Sequence, residues 1–347
     1  MSCMYHISPL HDPRWDDLLS RHPDASVFHT RAWLEALRRT YNYSSFGFTT
    51  SPSGSALQNA VIVSQVKSWI SGSRLVSVPF ADACQPLVNS AQELKEIVRA
   101  TQESCQEKRY KYLEFRWISA GWSQSSLEGL NADASYAYHT INLEPELDAI
   151  FRAFHKSCIQ RKIHRAEMEG LQYEVGSSDV ILREFYRLLI LTRRRHGVPP
   201  QPFLWFRNLR DCFGSDFRIR IAMKDRRPIA SILTLRHGRR LVYKYGGSDA
   251  NFHPLGPMPW LFWQAIREAK TQDLCEFDLG RSDIVDHGLI AFKNHLGASP
   301  AALTYYRYSR GENSKRSGAR LRKVRLCKYL PSPILRFAGS VLYRHLG

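Results

Sequence analysis

Phe217-Arg-Ile-Arg-Ile-Ala-Met223, Pro228-Ile-Ala-Ser-Ile-Leu-Thr-Leu-Arg236 and Arg240-Leu-Val-Tyr-Lys-Tyr-Gly246 decide the fold. Each run is rich in apolar and β-branched residues. Lys224-Asp-Arg-Arg-Pro228 and His237-Gly238 supply the turns between them, so the runs read as a three-strand meander. Downstream, a helix is expected over 258–271, a strand over 275–279, a short helix near 288–295 and a last strand over 302–308. Upstream, a long helix is expected from Glu146 to Glu169, closed by Gly170 in the C-cap position. A strand over 172–175 and a helix over 179–195 follow. Pro199-Pro200 and Pro202 then break the chain before an aromatic helix over 203–213.

The meander has an echo earlier in the sequence. Ala60-Val-Ile62 runs on to Arg74-Leu-Val76 and reaches Asp82. Ala230-Ser-Ile232 runs on to Arg240-Leu-Val242 and reaches Asp249. In both, a strand, a turn with glycine (Gly72, Gly238) and a second strand follow one another, which suggests two homologous halves. In the first half Thr30 is an expected N-cap for a helix over 31–41, whose Trp33, Leu34 and Leu37 form an apolar stripe. Strands are expected at 45–50, 59–67, 74–79, 112–117 and 137–143, with a helix at 92–107 carrying Leu94, Ile97 and Val98 inward. The expected domains are therefore 1–145, 146–310 and a tail, 311–347.

The chain has 347 residues, 44% of them hydrophobic and 12% aromatic, enough for two cores and too apolar for disorder. No run of 18 apolar residues appears, and Met1-Ser-Cys-Met-Tyr-His6 lacks the layout of a secretory signal, so a cytosolic protein is expected. The seven cysteines and thirteen histidines show no CxxC pair and no ligand spacing, so neither a disulfide frame nor a metal site is expected. There is no GxSxG, HExxH or P-loop stretch. Of the net charge of +17, Arg307 to Gly347 carries +10, with eleven Lys/Arg against the single acid Glu312. Such a tail attracts polyanions, either RNA or an anionic membrane. Its last part is amphipathic, with Ile334, Leu335, Phe337, Val341, Leu342 and Leu346 suited to a membrane face or to the protein's own core.

Several residues carry candidate chemistry. Asp278 ends an apolar strand just before Gly280 and Arg281, at a strand C-terminus where αβ layers often bind ligands. Arg281 is placed to clamp a phosphate or carboxylate, and Asp278 to orient Tyr245 or accept a proton. Tyr243 and Tyr245 alternate along one strand, so both are expected on one face with Lys244 opposite. Arg161 and Arg165 share a helix face within a basic band that also holds Lys156 and Lys162. Both phosphate contact and plain solvation fit that band. In His253-Pro-Leu-Gly-Pro-Met-Pro259, three prolines remove N–H groups at the start of the helix after the meander.

The order helix, strand, two helices, meander, helix, strand, helix, strand resembles the GNAT acyltransferase core. In that fold the meander is antiparallel and the next helix and strand form a βαβ crossover, with the donor bound where strands splay. Phe28-His-Thr-Arg-Ala-Trp33, Tyr243-Lys-Tyr-Gly-Gly-Ser-Asp249, Cys275-Glu-Phe-Asp-Leu-Gly280 and Gly288-Leu-Ile-Ala-Phe-Lys293 are similar, in this order over residues 20–308, to FemAB-type proteins. The likeness is greatest to the subgroup associated with exopolysaccharide and PEP-CTERM systems. The resemblance implies two tandem GNAT-like domains, each a mixed, mostly antiparallel sheet flanked by helices. It implies a transferase moving an acyl or aminoacyl group onto an amine or hydroxyl of a cell-envelope precursor, nucleotide- or lipid-linked, in peptidoglycan or exopolysaccharide synthesis.

No tightly bound cofactor is implied; the donor is aminoacyl-tRNA or acyl-CoA. Phe292-Lys293 matches the pair that the family sets beside the reacting ester, with Lys293 against the oxyanion. Arg193-Arg-Arg-His196, with Arg195, falls where the family carries an arginine for the precursor, and the family uses a tyrosine in the region of Tyr243 and Tyr245 to contact it, though core packing fits these two tyrosines as well. CoA-dependent GNAT proteins cradle pyrophosphate with backbone N–H groups where this chain has its three prolines, which argues against an ordinary acetyl-CoA site. A CoA-dependent N-acyltransferase and a non-catalytic RNA- or membrane-binding scaffold remain the alternatives.

Overall fold

A computed structural model describes residues 4–70, 72–118, 127–309 and 330–347. The chain divides into two compact units: the described residues of 4–136 with 301–309 and 342–347, and 137–300 with 330–341. Against the expected boundary at 145/146, the chain leaves the first unit within a strand, and the last strand of the expected second domain packs with the first unit. The basic stretch 315–328 of the expected tail lies outside the described residues.

In the first unit the sheet order is β1(Tyr5–Ile7), β2(Ser44–Thr49), β3(Val61–Val66), β4(Arg74–Val76), β5(Tyr112–Ile118) and β12(Ser299–Ser309). β2, β3 and β4 are an antiparallel meander. Helix α3(Ala91–Glu107) then returns the chain to β5, parallel to β4. Ser90 caps α3 by accepting from the Glu93 N–H, while the Glu93 carboxylate accepts from the Asn89 N–H, a reciprocal arrangement that settles the helix start. Its Leu94, Ile97 and Val98 are buried against Leu75, Leu113 and Phe115. Each fully buried side chain of this size contributes about 1.5–3 kcal/mol. Helix α2(Arg31–Tyr41) is capped by Thr30, which accepts from the Trp33 N–H. β1 and α1(Trp15–Arg21) are additions to the expected elements.

The second unit repeats the scheme. β8(Phe217–Lys224), β9(Arg227–His237) and β10(Arg240–Ser248) form the antiparallel meander. α8(Pro257–Thr271) crosses to β11(Glu276–Asp283), parallel to β10. β7(Gln172–Gly176) adds to the β8 edge, and residues 137–142 of β6(Asn131–Asn142) follow β11. The echo in the sequence is therefore β3–β4 against β9–β10. In α8, Leu261, Ala265 and Ala269 at helical spacing are buried, as are Phe262 and Ile266, which seats the crossover on the sheet. α6(Asp179–Arg195), capped by Ser178, packs along β10, and α7(Phe203–Phe213) follows it.

The expected helix 146–169 is two helices, α4(Leu147–Ala153) and α5(Arg161–Met168), joined through a π-helical turn at Lys156–Gln160. Phe154 adopts extended backbone and buries its ring in the core. The Gln160 amide donates to the carbonyls of Phe151 and Phe154, satisfying the end of α4. Buried positions run 150, 154, 159, 163 and 166, and the step of five from Phe154 to Ile159 is the register break. Gly170, at φ +66°, ends α5 as expected. α9(His287–His295) and α10(Ser332–Leu342) complete the elements. Among the described residues, no helix is long and apolar enough to cross a membrane.

Candidate active site

β10 and β11 pair from Arg240↔Glu276 to Val242↔Asp278 and no further, although β10 runs on to Ser248 and β11 to Asp283. Beyond the last pair lies a cavity of about 310 Å³. One wall is Tyr243 and Gly246–Ser248 of β10, another is Leu279 of β11, and the first turn of α8 and the face of α9 with Phe292 and Lys293 close it. Gly246 and Gly247 suit this wall for different reasons. A Cβ on Gly247 would lie 2.5 Å from the backbone of Leu188 and Leu189, so α6 approaches β10 there as closely as only glycine allows. A Cβ on Gly246 would meet the Tyr243 hydroxyl, which folds back over the strand.

Lys162 of α5, Arg195 of α6 and Lys293 of α9 line the cavity, and among the described residues its lining contains no Asp or Glu. The lining charge therefore selects for anionic groups. Lys293 is 3% exposed, and its ammonium donates to the carbonyls of Gly280 (2.8 Å) and Arg281 (3.1 Å). A buried cation is tolerated where such acceptors fix it. α9 is held further by His139, which donates to the Asn294 side chain at 3.0 Å. Arg195 donates to the Ser248 carbonyl, and burial lowers its pKa against the attraction of Asp249. His253 also lines the cavity, 2.9 Å from the Ser248 hydroxyl. Burial first, then Arg195 and Lys162, depress its pKa below 6.5, so the imidazole is neutral at neutral pH.

The first turn of α8 carries Pro257 and Pro259, so of its first three positions Met258 alone has an N–H. A helix start of this kind is a poor cradle for a pyrophosphate.

Of the residues expected at the site, Tyr243, Arg195, Phe292 and Lys293 come together around the cavity. Others do not. Asp278 lies on the opposite face of β11 from Phe277 and Leu279; its carboxylate accepts from the Gly280 N–H (2.6 Å) in an Asx turn and from the Tyr138 hydroxyl. Arg281 is exposed and contributes its carbonyl to Lys293. Arg161 and Arg165 are exposed on α5, Arg165 paired with Glu169, while their neighbour Lys162 faces the cavity.

Tyr243 and Tyr245 were expected on one face, but the register shifts between them, Tyr243 opposite Thr234 and Tyr245 opposite Leu233. This bulge turns Tyr245 to the α7 side, where its hydroxyl accepts from Gln201 Nε2 and Trp205 Nε1, each at 2.9 Å. Tyr245→Phe thus removes the acceptor that two buried donors share. It is expected to cost ~2 kcal/mol or more of stability in urea unfolding while leaving the substrate KM unchanged. A raised KM at intact stability would return Tyr245 to the substrate site.

His253 and Thr192 are cavity residues that sequence reasoning did not assign, and Lys162 was named there only within the basic band of its helix. Of the two unassigned, His253 alone had a local signal, its place in the proline-rich stretch before α8. In the first unit the turn after β4 is held by Arg116, which donates to the carbonyls of Val78 (3.4 Å) and Ala81 (3.3 Å) and pairs with Glu114.

A model of the acetyltransferase (GNAT) domain matches residues 153–293. The UDP-N-acetylmuramoylpentapeptide-lysine N(6)-alanyltransferase of Weissella viridescens is 28% identical over 139 residues, 38% of this chain. The match spans 40% of that protein's length. The crystal structure of FemX aligns with a TM-score of 0.70 at 13% identity, covering 89% of this chain and 97% of that one. A tandem GNAT protein from the clavulanic acid biosynthesis pathway aligns with a TM-score of 0.57 at 12% identity, covering 90% and 100%. Fold and cavity together define a protein of tandem GNAT architecture. Within that class the matched stretch is similar to the Weissella alanyltransferase, and the fold to that of FemX.

Proposed function

We propose that the protein transfers an aminoacyl group from a charged tRNA to an amine, or a hydroxyl, of a nucleotide- or lipid-linked cell-envelope precursor. The observation that carries this reading is Lys293, a buried ammonium at the wall of the cavity, fixed by two carbonyls beside Phe292. Attack of the acceptor amine on the donor ester forms a C–N bond and leaves a negative oxygen before the C–O bond breaks. The amine proton passes to the departing tRNA hydroxyl or to water. A cation already held in place stabilises that oxygen without reorganising as the charge develops. Lys162 and Arg195 supply charge for the phosphates that both tRNA and a nucleotide- or lipid-linked precursor carry.

The name of the Weissella relative supports a peptidoglycan precursor as acceptor. An exopolysaccharide precursor fits the same charges. The two prolines in the first turn of α8 support an ester donor over acyl-CoA. The matching acetyltransferase (GNAT) domain favours the CoA reading as the runner-up. This chemistry belongs in the cytoplasm, where charged tRNA and nucleotide precursors are made. Exposed Ile334, Phe337 and Val341 on α10 support peripheral contact with an anionic membrane.

The test supplies the purified protein with labelled aminoacyl-tRNA, acetyl-CoA or longer acyl-CoAs, with nucleotide- or lipid-linked acceptors, and with or without anionic vesicles. Label passing from charged tRNA alone supports the proposal, and a faster reaction on vesicles supports the membrane contact. Label passing from CoA alone replaces the donor. No transfer, with salt-sensitive RNA binding that Lys293→Met leaves intact, would make the protein a scaffold.

A further inference from the structure

The π-helical turn between α4 and α5 carries His155 and Cys158, and α9 ends at His295. One ligand atom from each of the three lies within 4.8 Å of the others. The two segments are tied by their backbones, because the His155 N–H donates to the His295 carbonyl at 2.8 Å. The imidazole rings stand 4.4 Å apart between centroids at an interplanar angle of 47°. Cys158 and His295 are half-buried, and His155 opens to solvent.

We propose that His155, Cys158 and His295 form a metal site for a divalent cation of borderline softness, zinc foremost, with its fourth position open to water or an external donor. Two imidazoles and a thiolate, with no carboxylate among them, prefer zinc, cobalt, nickel or copper to magnesium or calcium. Metal–nitrogen and metal–sulfur bonds of about 2.0 and 2.3 Å put two nitrogens and a sulfur of a tetrahedral site about 3.3–3.6 Å apart. Closing the site therefore needs side chains to converge by about 1 Å, a change that rotamer adjustment supplies with the backbones already joined.

Ligation displaces a local bond. His155 Nδ1 accepts the Cys158 N–H at 3.2 Å, and a neutral imidazole has one lone pair. The metal thus replaces the cap of the π-helical turn, and binding is coupled to the shape of that turn. His295 is two residues from Lys293, so an occupied site would pin the end of the helix that carries Phe292 and Lys293. The site itself does not depend on what the cavity binds.

Spacing along the chain hides this set, because His155 and Cys158 form only an HxxC pair and the third ligand comes from a distant helix.

Metal-free full-length protein is titrated with Co²⁺, followed by absorption, and with Zn²⁺, followed by calorimetry. One-to-one binding is expected, with a thiolate-to-cobalt charge-transfer band that Zn²⁺ displaces. Thermal unfolding should move to higher temperature with Zn²⁺. Cys158→Ser should lose the band. His295→Ala should weaken binding by more than the ~100-fold that losing an outer-shell partner costs. Circular dichroism checks that each variant folds, and if one does not, His155→Gln at the exposed ligand carries the same test. Absence of saturable binding overturns the proposal. So does an unchanged band and stoichiometry in the folded variants, which would send the metal to other thiols such as Cys212 or Cys275.

Discussion

Lys293→Met lowers the transfer kcat by ~10²–10³-fold, the loss expected when one preorganised donor to a developing oxyanion is removed. KM changes little, because the interaction strengthens only as the negative oxygen forms. Methionine keeps the length and much of the bulk of the lysine stem while removing the charge. The substitution also deprives the Gly280 and Arg281 carbonyls of a donor at a buried site. Stability should fall by about 1–3 kcal/mol, so rates must be read well below the unfolding midpoint of the variant. Lys293→Arg separates charge from shape. It keeps the cation but puts a planar fork where a compact ammonium fits between two carbonyls, and should recover only part of the rate. A Met variant that turns over within ~3-fold of the parent, once stability is matched, would leave Lys293 with a structural role alone.

The alternation of apolar residues and the turns between them made the meander legible, and the echo of Ala230–Val242 in Ala60–Val76 made its repetition legible. Both depend on local chemistry: β-branched runs, glycine turns and a crossover helix with one apolar face. The candidate site was less so. Lys293 and Phe292 were found through a resemblance, and Tyr243 and Arg195 line the cavity with them. Tyr245 was misplaced because a bulge at Lys244 resets the alternation, and nothing in Tyr-Lys-Tyr-Gly-Gly announces a bulge. Asp278 looked catalytic for the same feature that makes it structural: a carboxylate two residues before a glycine at a strand end closes an Asx turn. The helix break before Ile159 was present as a step of five in the apolar spacing, which the basic residues around it masked. The cation set Lys162, Arg195 and Lys293 comes from three helices, so no window of sequence contains it.

Gly247→Ala costs ~3 kcal/mol or more in urea unfolding and opens the cavity edge, a larger penalty than ordinary overpacking. The reason lies in what the new methyl meets. Its neighbours at 2.5 Å are the Leu188 carbonyl carbon and the Leu189 nitrogen, with the Leu188 oxygen at 2.7 Å. None of these can rotate aside, so α6 must move off β10 as a body. α6 also carries Thr192, whose hydroxyl accepts the Ser248 N–H at 2.9 Å, and Arg195, which donates to the Ser248 carbonyl. A shift of α6 therefore loosens the strand end that lines the cavity, and phosphate-bearing ligands should bind more weakly as well. Gly246→Ala is the matched control. There the methyl meets the Tyr243 hydroxyl, the far end of a side chain that can swing away, so the cost should be near 1 kcal/mol. Because the two positions are adjacent in one strand, strand propensity cancels between them. Equal unfolding midpoints would mean that α6 and β10 do not pack as closely as the backbone distances say. A gap of ~2 kcal/mol or more in the expected direction would tie the shape of the cavity to the closeness of helix and strand at a single glycine.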